Sequence, residues 1–185
     1  MKTVADQLIE LLDIEQLEVD LFRGIGSGGE TTTRIFGGHV IAQALMAAYR
    51  TVPDRLCHSL HAYFIRPGDP KIPVIYQVDR ARDGGSFTTR RVVAIQHGKQ
   101  IFNLSASFHI DEEGWDFQHA MPQVGSPEDW PNRDELREAH VAKIPEKYRD
   151  DFTRQRPIEL REVAPRDFFT PEKASDRNHL WFRME

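Results

Sequence analysis

Residues 35–50 read IFGGHVIAQALMAAYR, and whether this run is a core helix decides the fold. Val40, Ile41, Ala44, Leu45 and Ala48 recur at i, i+1, i+4, i+5 and i+8, a wide apolar stripe at helical spacing. The spacing predicts a helix from Gly38 to about Arg50, which Pro53 and Asp54 bring to an end. No Asp or Glu lies between Glu30 and Asp54. A helix so apolar needs cover, and the next sixty residues read as the sheet that gives it.

LCHSLHAYFI (56–65) alternates, with Leu56, His58, Leu60, Ala62 and Phe64 on one face and Cys57, Ser59, His61 and Tyr63 on the other. RPGDP closes it as a turn. PVIYQVDRA (73–81), SFTTRRVVAIQ (86–96) and QIFNLSASFHI (100–110) follow, joined by RDGG and HGK. Those are hairpin signals, so the three segments form an antiparallel meander. Upstream, Val4, Leu8, Leu11 and Leu12 predict an amphipathic helix over residues 3–13. Leu17, Val19 and Leu21 alternate as one strand, and TTTRIF (31–36) is β-branched and extended. Downstream, residues 111–156 turn acidic and proline-containing, with helical stretches near 133–142 and 145–153. PIELREV and HLWFRME then read as strands. The pattern implies an α+β fold in which a curved antiparallel sheet wraps one central helix.

Composition narrows the function. The chain has 185 residues, 29% of them charged, and its longest low-charge apolar run is too short to span a bilayer. One cysteine, Cys57, excludes an intrachain disulfide and a Cys-rich zinc site. The N-terminus is acidic and amphipathic, unlike a secretory or mitochondrial signal, so a cytoplasmic protein is the simplest inference. The net charge of −5 hides an asymmetry: residues 31–110 hold ten Lys/Arg against four Asp/Glu, within acidic flanks. A basic middle suits an anionic small ligand. Nucleic acid fits less well, because no arginine-rich stripe is interleaved with exposed aromatics.

Gly24, Gly26 and Gly29 match G-x-G-x-x-G by spacing, but an extended segment follows the third glycine and the downstream strands are antiparallel. That argues against a dinucleotide site. Phe36, Gly37, Gly38 and His39 open the helix. Two readings stand: the glycines allow close packing on the sheet, or free backbone N–H groups there bind a carbonyl oxygen or oxyanion. His58 and His39 are candidate acid–base groups. Cys57 and His58 point to opposite faces, as do His58 and His61, so neither a nucleophile–base pair nor a shared metal is expected. Arg66, Lys71, Arg82, Arg90 and Arg91 are candidates for a phosphorylated ligand, although Arg90 and Arg91 must face opposite ways.

LFRG, RIFGGHVIAQALMAAYRTVP, residues 58–108, MPQVGSPE and RPIELREV closely resemble the N-terminal half of the acyl-CoA thioesterase II family, the bacterial TesB and peroxisomal acyl-CoA thioesterases. The resemblance implies a hotdog fold and, with it, hydrolysis of fatty acyl-CoA to fatty acid and CoA without metal or other cofactor. Members carry two hotdog units, and this chain matches the first. Residues 1–112 then form the N-terminal unit, 113–156 a connecting segment, and 157–185 strands leading toward a second unit.

The family's water-activating aspartate, hydroxyl residue and glutamine lie in that second unit and have no matching positions here, in keeping with the carboxylate-free helix. YFIRP (63–67) is similar to a stretch near the active site of the second unit. The resemblance therefore implies acyl-CoA contacts from Phe36, Gly37, Gly38, His39, Arg66 and Arg91, with His58 the one catalytic candidate within the segment. The implied partner is a second hotdog unit, in cis or in a homo-oligomer. A peroxisomal location stays open should a C-terminal signal exist further on. Two alternatives remain, a non-catalytic acyl-CoA-binding module and a hydroxyacyl-thioester dehydratase. The dehydratase pairs such a histidine with a helix glutamate, which this helix lacks.

Overall fold

The computed structural model describes residues 2–26, 33–167, 169–170 and 172–184. It divides into two compact units, residues 9–115 and residues 1–8 with 116–185. The first helix, α1 (Val4–Leu12), forms where its apolar spacing places it. Thr3 and Asp6 cap each other there, Asp6 N donating to Thr3 Oγ1 (3.0 Å) and Thr3 N to Asp6 Oδ2 (2.8 Å).

The single strand expected over Leu17–Leu21 is instead a hairpin, β1 (Glu15–Glu18) and β2 (Leu21–Gly24). Asp20 turns the chain with φ 63°, a left-handed conformation that Asp tolerates better than most residues. Of the extended reading for TTTRIF, Thr31 and Thr32 lie outside the described residues. Thr33 and Arg34 bend rather than pair in a sheet.

The central helix α2 (Gly37–Tyr49) is followed by β3 (Leu56–Phe64), β4 (Val74–Asp83), β5 (Phe87–Gln96) and β6 (Lys99–His109). They form one antiparallel sheet in the order β1-β2-β4-β5-β6-β3. The meander follows its turn residues: His97 and Gly98 both have positive φ, 49° and 67°, as a tight hairpin connection requires. One face of the sheet carries Val74, Tyr76, Val78, Val92, Ala94, Phe102, Leu104, Ala106 and Phe108, all buried. α2 packs on that face through Val40, Ala44, Ala47 and Ala48, where small side chains let helix and sheet approach closely. His39 and Gln43 are buried as well, so the covered stripe is less purely apolar than its hydrophobic residues alone suggest.

β3 departs from simple alternation. Cys57 pairs with Phe108 but Ser59 pairs with Ser107, leaving His58 as an extra residue in a β-bulge. Beyond it Leu60, Ala62 and Phe64 stand opposite Ala106, Leu104 and Phe102, on the side of the sheet that Cys57 also shares, although Leu60 and Phe64 remain exposed on this edge strand. His58 binds Ser107 on the outer face, Nε2 to Oγ 2.8 Å, and His61 pairs with Ser105 on that same side. The expectation that His58 and His61 face opposite ways is therefore wrong, because one inserted residue shifts the parity of the strand.

The other unit contains α3 (Arg133–His140), α4 (Arg149–Thr153) and a ribbon of β7 (Ile158–Glu162) with β8 (Leu180–Met184). Asn132 caps α3 by accepting Asp134 N (2.9 Å), and Glu135 reaches back to Asn132 N (3.2 Å). One ribbon face buries the Glu159 carboxylate between Arg161 and Arg183, at 2.5 Å from each. The other face leaves Ile158, Leu180, Phe182 and Met184 exposed.

Candidate functional site

The start of α2 lacks the usual side-chain cap. Phe36 sits at the N-cap in an extended conformation with no side-chain hydrogen bond, and the first turn holds no acid. His39 N (3.1 Å) and Val40 N (3.4 Å) donate to Phe36 O. The amides of Gly37 and Gly38 head the helix, where the dipole concentrates positive charge. Two aromatic rings flank them. A Cβ on Gly37 would stand 2.9 Å from the Phe64 ring, and one on Gly38 would stand 2.5 Å from the Phe36 ring. A side chain at either position would have to displace one of these rings. Phe64 rests on buried Phe102, ring centroids 5.0 Å apart, while Phe36 is 76% exposed. The result is an apolar mouth around a helix terminus able to accept an electron-rich oxygen.

Beneath it lies a polar hub. Gln43, fully buried, donates from Nε2 to the carbonyls of Leu11 (2.6 Å) and Ile25 (3.3 Å) and accepts the Tyr76 hydroxyl at Oε1 (2.9 Å). Gly24 fits because a Cβ there would lie 2.1 Å from Gln43 Oε1. Burial pushes the Tyr76 phenol far up, so it remains a neutral donor. His39 is 6% exposed, and its Nε2 has no hydrogen-bond partner among the described residues. Burial holds its pKa below the ordinary histidine value, outweighing Gln43 and the Ile25 carbonyl, which favour the charged form. A neutral imidazole results near pH 7.

Residues 66–73 border the same end of the sheet. Arg66 N donates to Ile101 O (3.1 Å), its guanidinium to Gln100 O (2.7 Å), and Gly68 O accepts Ile35 N (2.9 Å) beside the helix start. Arg66 and Lys71 are exposed. The structure thus gathers Phe36, Gly37, Gly38, His39 and Arg66 at one end of the sheet.

It does not bring Arg91 or His58 there. Arg91 is exposed opposite Ser105 and Asp79, on the outer face. His58 lies on that face too, against the rings of Phe87 and His109 at 5.7 and 6.1 Å. Arg90, offered as a candidate for phosphate, is 1% exposed and structural. Its guanidinium binds Thr51 Oγ1 (2.8 Å), Thr51 O (3.0 Å) and Asp83 Oδ1 (2.6 Å), tying the end of α2 to the β4–β5 hairpin. Among the described residues no three His, Cys, Asp or Glu side chains are placed to hold a metal, and no helix is long and apolar enough to cross a membrane.

Phe64, Gln43, Tyr76 and Gln96 escape the sequence reading. Only Gln43 left a signal, as a lone amide within an apolar helix.

Residues 27–109 match the family model described as the acyl-CoA thioesterase N-terminal domain. The chain is 38% identical to acyl-CoA thioesterase 2 of Haemophilus influenzae over 184 residues, covering 99% of this chain and 64% of that protein. The crystal structure of an acyl-CoA thioesterase II, TesB2, from Mycobacterium marinum superposes with TM-score 0.69 at 41% identity, covering 95% of this chain and 59% of that one. A protein of hot dog fold from Alicyclobacillus acidocaldarius aligns with TM-score 0.72 at 22% identity over the whole chain and 64% of its own. This chain thus spans less than two-thirds of the length of each of these three proteins.

Proposed function

Because the chain belongs to the TesB-like acyl-CoA thioesterase family, with the hotdog fold, we propose that it supplies the first unit of an enzyme that hydrolyses fatty acyl-CoA to fatty acid and CoA. The carrying observation is the uncapped, glycine-opened start of α2 between Phe36 and Phe64, with basic Arg66 and Lys71 alongside. The rings and the half-buried Ile41 and Leu45 suit an acyl chain, and the basic side chains suit the phosphates of CoA. His39 lies under the mouth as a neutral hydrogen-bonding wall.

The reaction needs a base that α2 does not carry. A carboxylate from a second unit takes a proton from water, and the water oxygen attacks the thioester carbonyl carbon. Backbone N–H groups at a helix start stabilise the resulting oxyanion. Its collapse breaks the C–S bond, and the CoA thiolate leaves and takes up a proton. The second unit docks along β3, which ends the sheet and leaves Leu56, Leu60, Tyr63 and Phe64 exposed, an edge that a monomer would normally protect. The partner is a second unit in cis or another copy. In this reading residues 1–112 form the first unit, 113–156 the connection, and the ribbon of 157–185 leads toward the second. We place the protein in the cytoplasm, to be checked by cell fractionation.

The test is palmitoyl-CoA hydrolysis followed with a thiol reagent, for the 185-residue chain and for one extended by about 100 residues, a typical unit. The extended chain turns over; the short one binds the ester with little turnover. Equal rates would place the base within residues 1–185 and refute this arrangement. The carboxylate-free α2 favours a second reading for the chain alone, an acyl-CoA-binding module; binding without hydrolysis by either form selects it.

A further inference from the structure

Gln96, 5% exposed at the end of β5, gives its whole amide to one loop. Nε2 donates to the carbonyls of Asp69 (3.0 Å), Ile72 (3.1 Å) and Pro73 (3.3 Å), and Oε1 accepts Asp69 N (2.8 Å). All four partners are backbone groups, so the amide fixes the path of residues 66–73 whatever their side chains. That loop in turn receives both ends of the stretch leading to α2. On the near side Gly26 lies so close that a Cβ would stand 2.5 Å from Pro70 O and 2.9 Å from Ile72 O. On the far side Ile35 N binds Gly68 O, and Phe36 is the next residue. The same loop carries Lys71, whose N–H binds Asp69 Oδ1 at 2.9 Å, and begins at Arg66.

We propose that Gln96 is a positioning residue: by pinning residues 66–73 it sets the α2 mouth, and with it Arg66 and Lys71, for the CoA portion of an acyl-CoA. The ligand assignment rests on the function proposed above; the mechanical coupling does not. Glu at position 96 keeps the shape and the acceptor for Asp69 N, but turns a carboxylate oxygen toward three carbonyls. The loop is then pushed away while β5 stays in register.

The experiment compares wild type and Gln96→Glu by CoA titration calorimetry and by amide hydrogen exchange. The variant should weaken CoA binding by about tenfold, the scale of one good hydrogen-bond network. Exchange at residues 35–40 should rise by a similar factor while β6 stays protected. A merely structural Gln96 lowers the melting temperature but leaves CoA affinity and residues 35–40 unchanged at temperatures where the chain is folded, and that result overturns the proposal. Should Gln96→Glu fail to fold, exposed Pro67→Gly loosens the loop without disturbing the core, and unchanged exchange at residues 35–40 is then the overturning result. Wild type that ignores CoA, with exchange responding as described, sinks the proposed function and leaves the coupling standing.

Discussion

Replacing Gln43 by Leu removes the hub under the mouth of α2 with little change of volume. The two short bonds, to Leu11 O and from Tyr76 Oη at 2.6 and 2.9 Å, each leave a buried partner unpaired. At about 1–3 kcal/mol for each stranded group, less about 1 kcal/mol regained from the apolar side chain, the cost is about 3 kcal/mol. Tyr76→Phe alone strands only Gln43 Oε1 and costs about 1.5 kcal/mol. In the Gln43→Leu background the same change removes a hydroxyl that already lacks its acceptor, so it costs almost nothing. A coupling energy of about 1.5 kcal/mol follows. Urea unfolding monitored by far-UV circular dichroism reads it: with a slope of about 2 kcal/mol/M, the midpoint of the Gln43→Leu variant falls by about 1.5 M. Strictly additive effects at positions 43 and 76 would show that the hub is not one cooperative network, and the reasoning would fail.

Acid should destabilise the fold through His39. Its folded pKa lies below the unfolded value of 6.5, so the unfolded chain takes up the proton first. The stability contributed by neutral His39 is complete above that value and is lost as pH falls through the folded pKa; His39→Gln flattens this slope in thermal melts across the range. Gly24→Ala drives a methyl into Gln43 and Tyr76 and lowers stability by about 2 kcal/mol in the same urea assay. Gly38→Ala differs, because the obstructing Phe36 ring is exposed and can swing aside. Stability should change by less than about 1 kcal/mol while palmitoyl-CoA binding weakens, and a binding curve that matches wild type contradicts the proposed mouth. Arg90→Leu strands buried Thr51, while exposed Asp83 rehydrates, and should cost about 2 kcal/mol, visible as a lowered melting temperature.

The central helix and the meander were legible because their signals are local: an apolar stripe, and turns such as His97–Gly98 whose residues suit positive φ. The β1–β2 hairpin was hidden, since Leu17, Val19 and Leu21 keep their alternation straight across a turn made by Asp20 without glycine. The face of His58 was hidden too, because a bulge is set by cross-strand register and leaves no mark in one strand's own sequence. At the candidate site, the glycine pair could be read from Phe36 to His39. Phe64, Tyr76 and Gln96 could not, because what they do depends on partners far along the chain, Phe102, Gln43 and the loop at Asp69. Arg91 and Arg66 look alike in sequence, and only the strand pairing separates the outer face from the mouth.

The extra residue in β3 gives that strand a single point of slack. A strand normally cannot lose one position without turning every following side chain inside out, yet removal of His58 would leave Cys57, Ala62 and Phe64 on their present faces. Removal of Ser59 is equivalent, because His58 then stands opposite Ser107, whereas removal of a residue further along turns the side chains between it and the bulge to the other face. Single-codon deletions along residues 56–64 should therefore be tolerated at His58 and Ser59 and become more damaging with distance from them, so length variation in this strand is confined to the bulge.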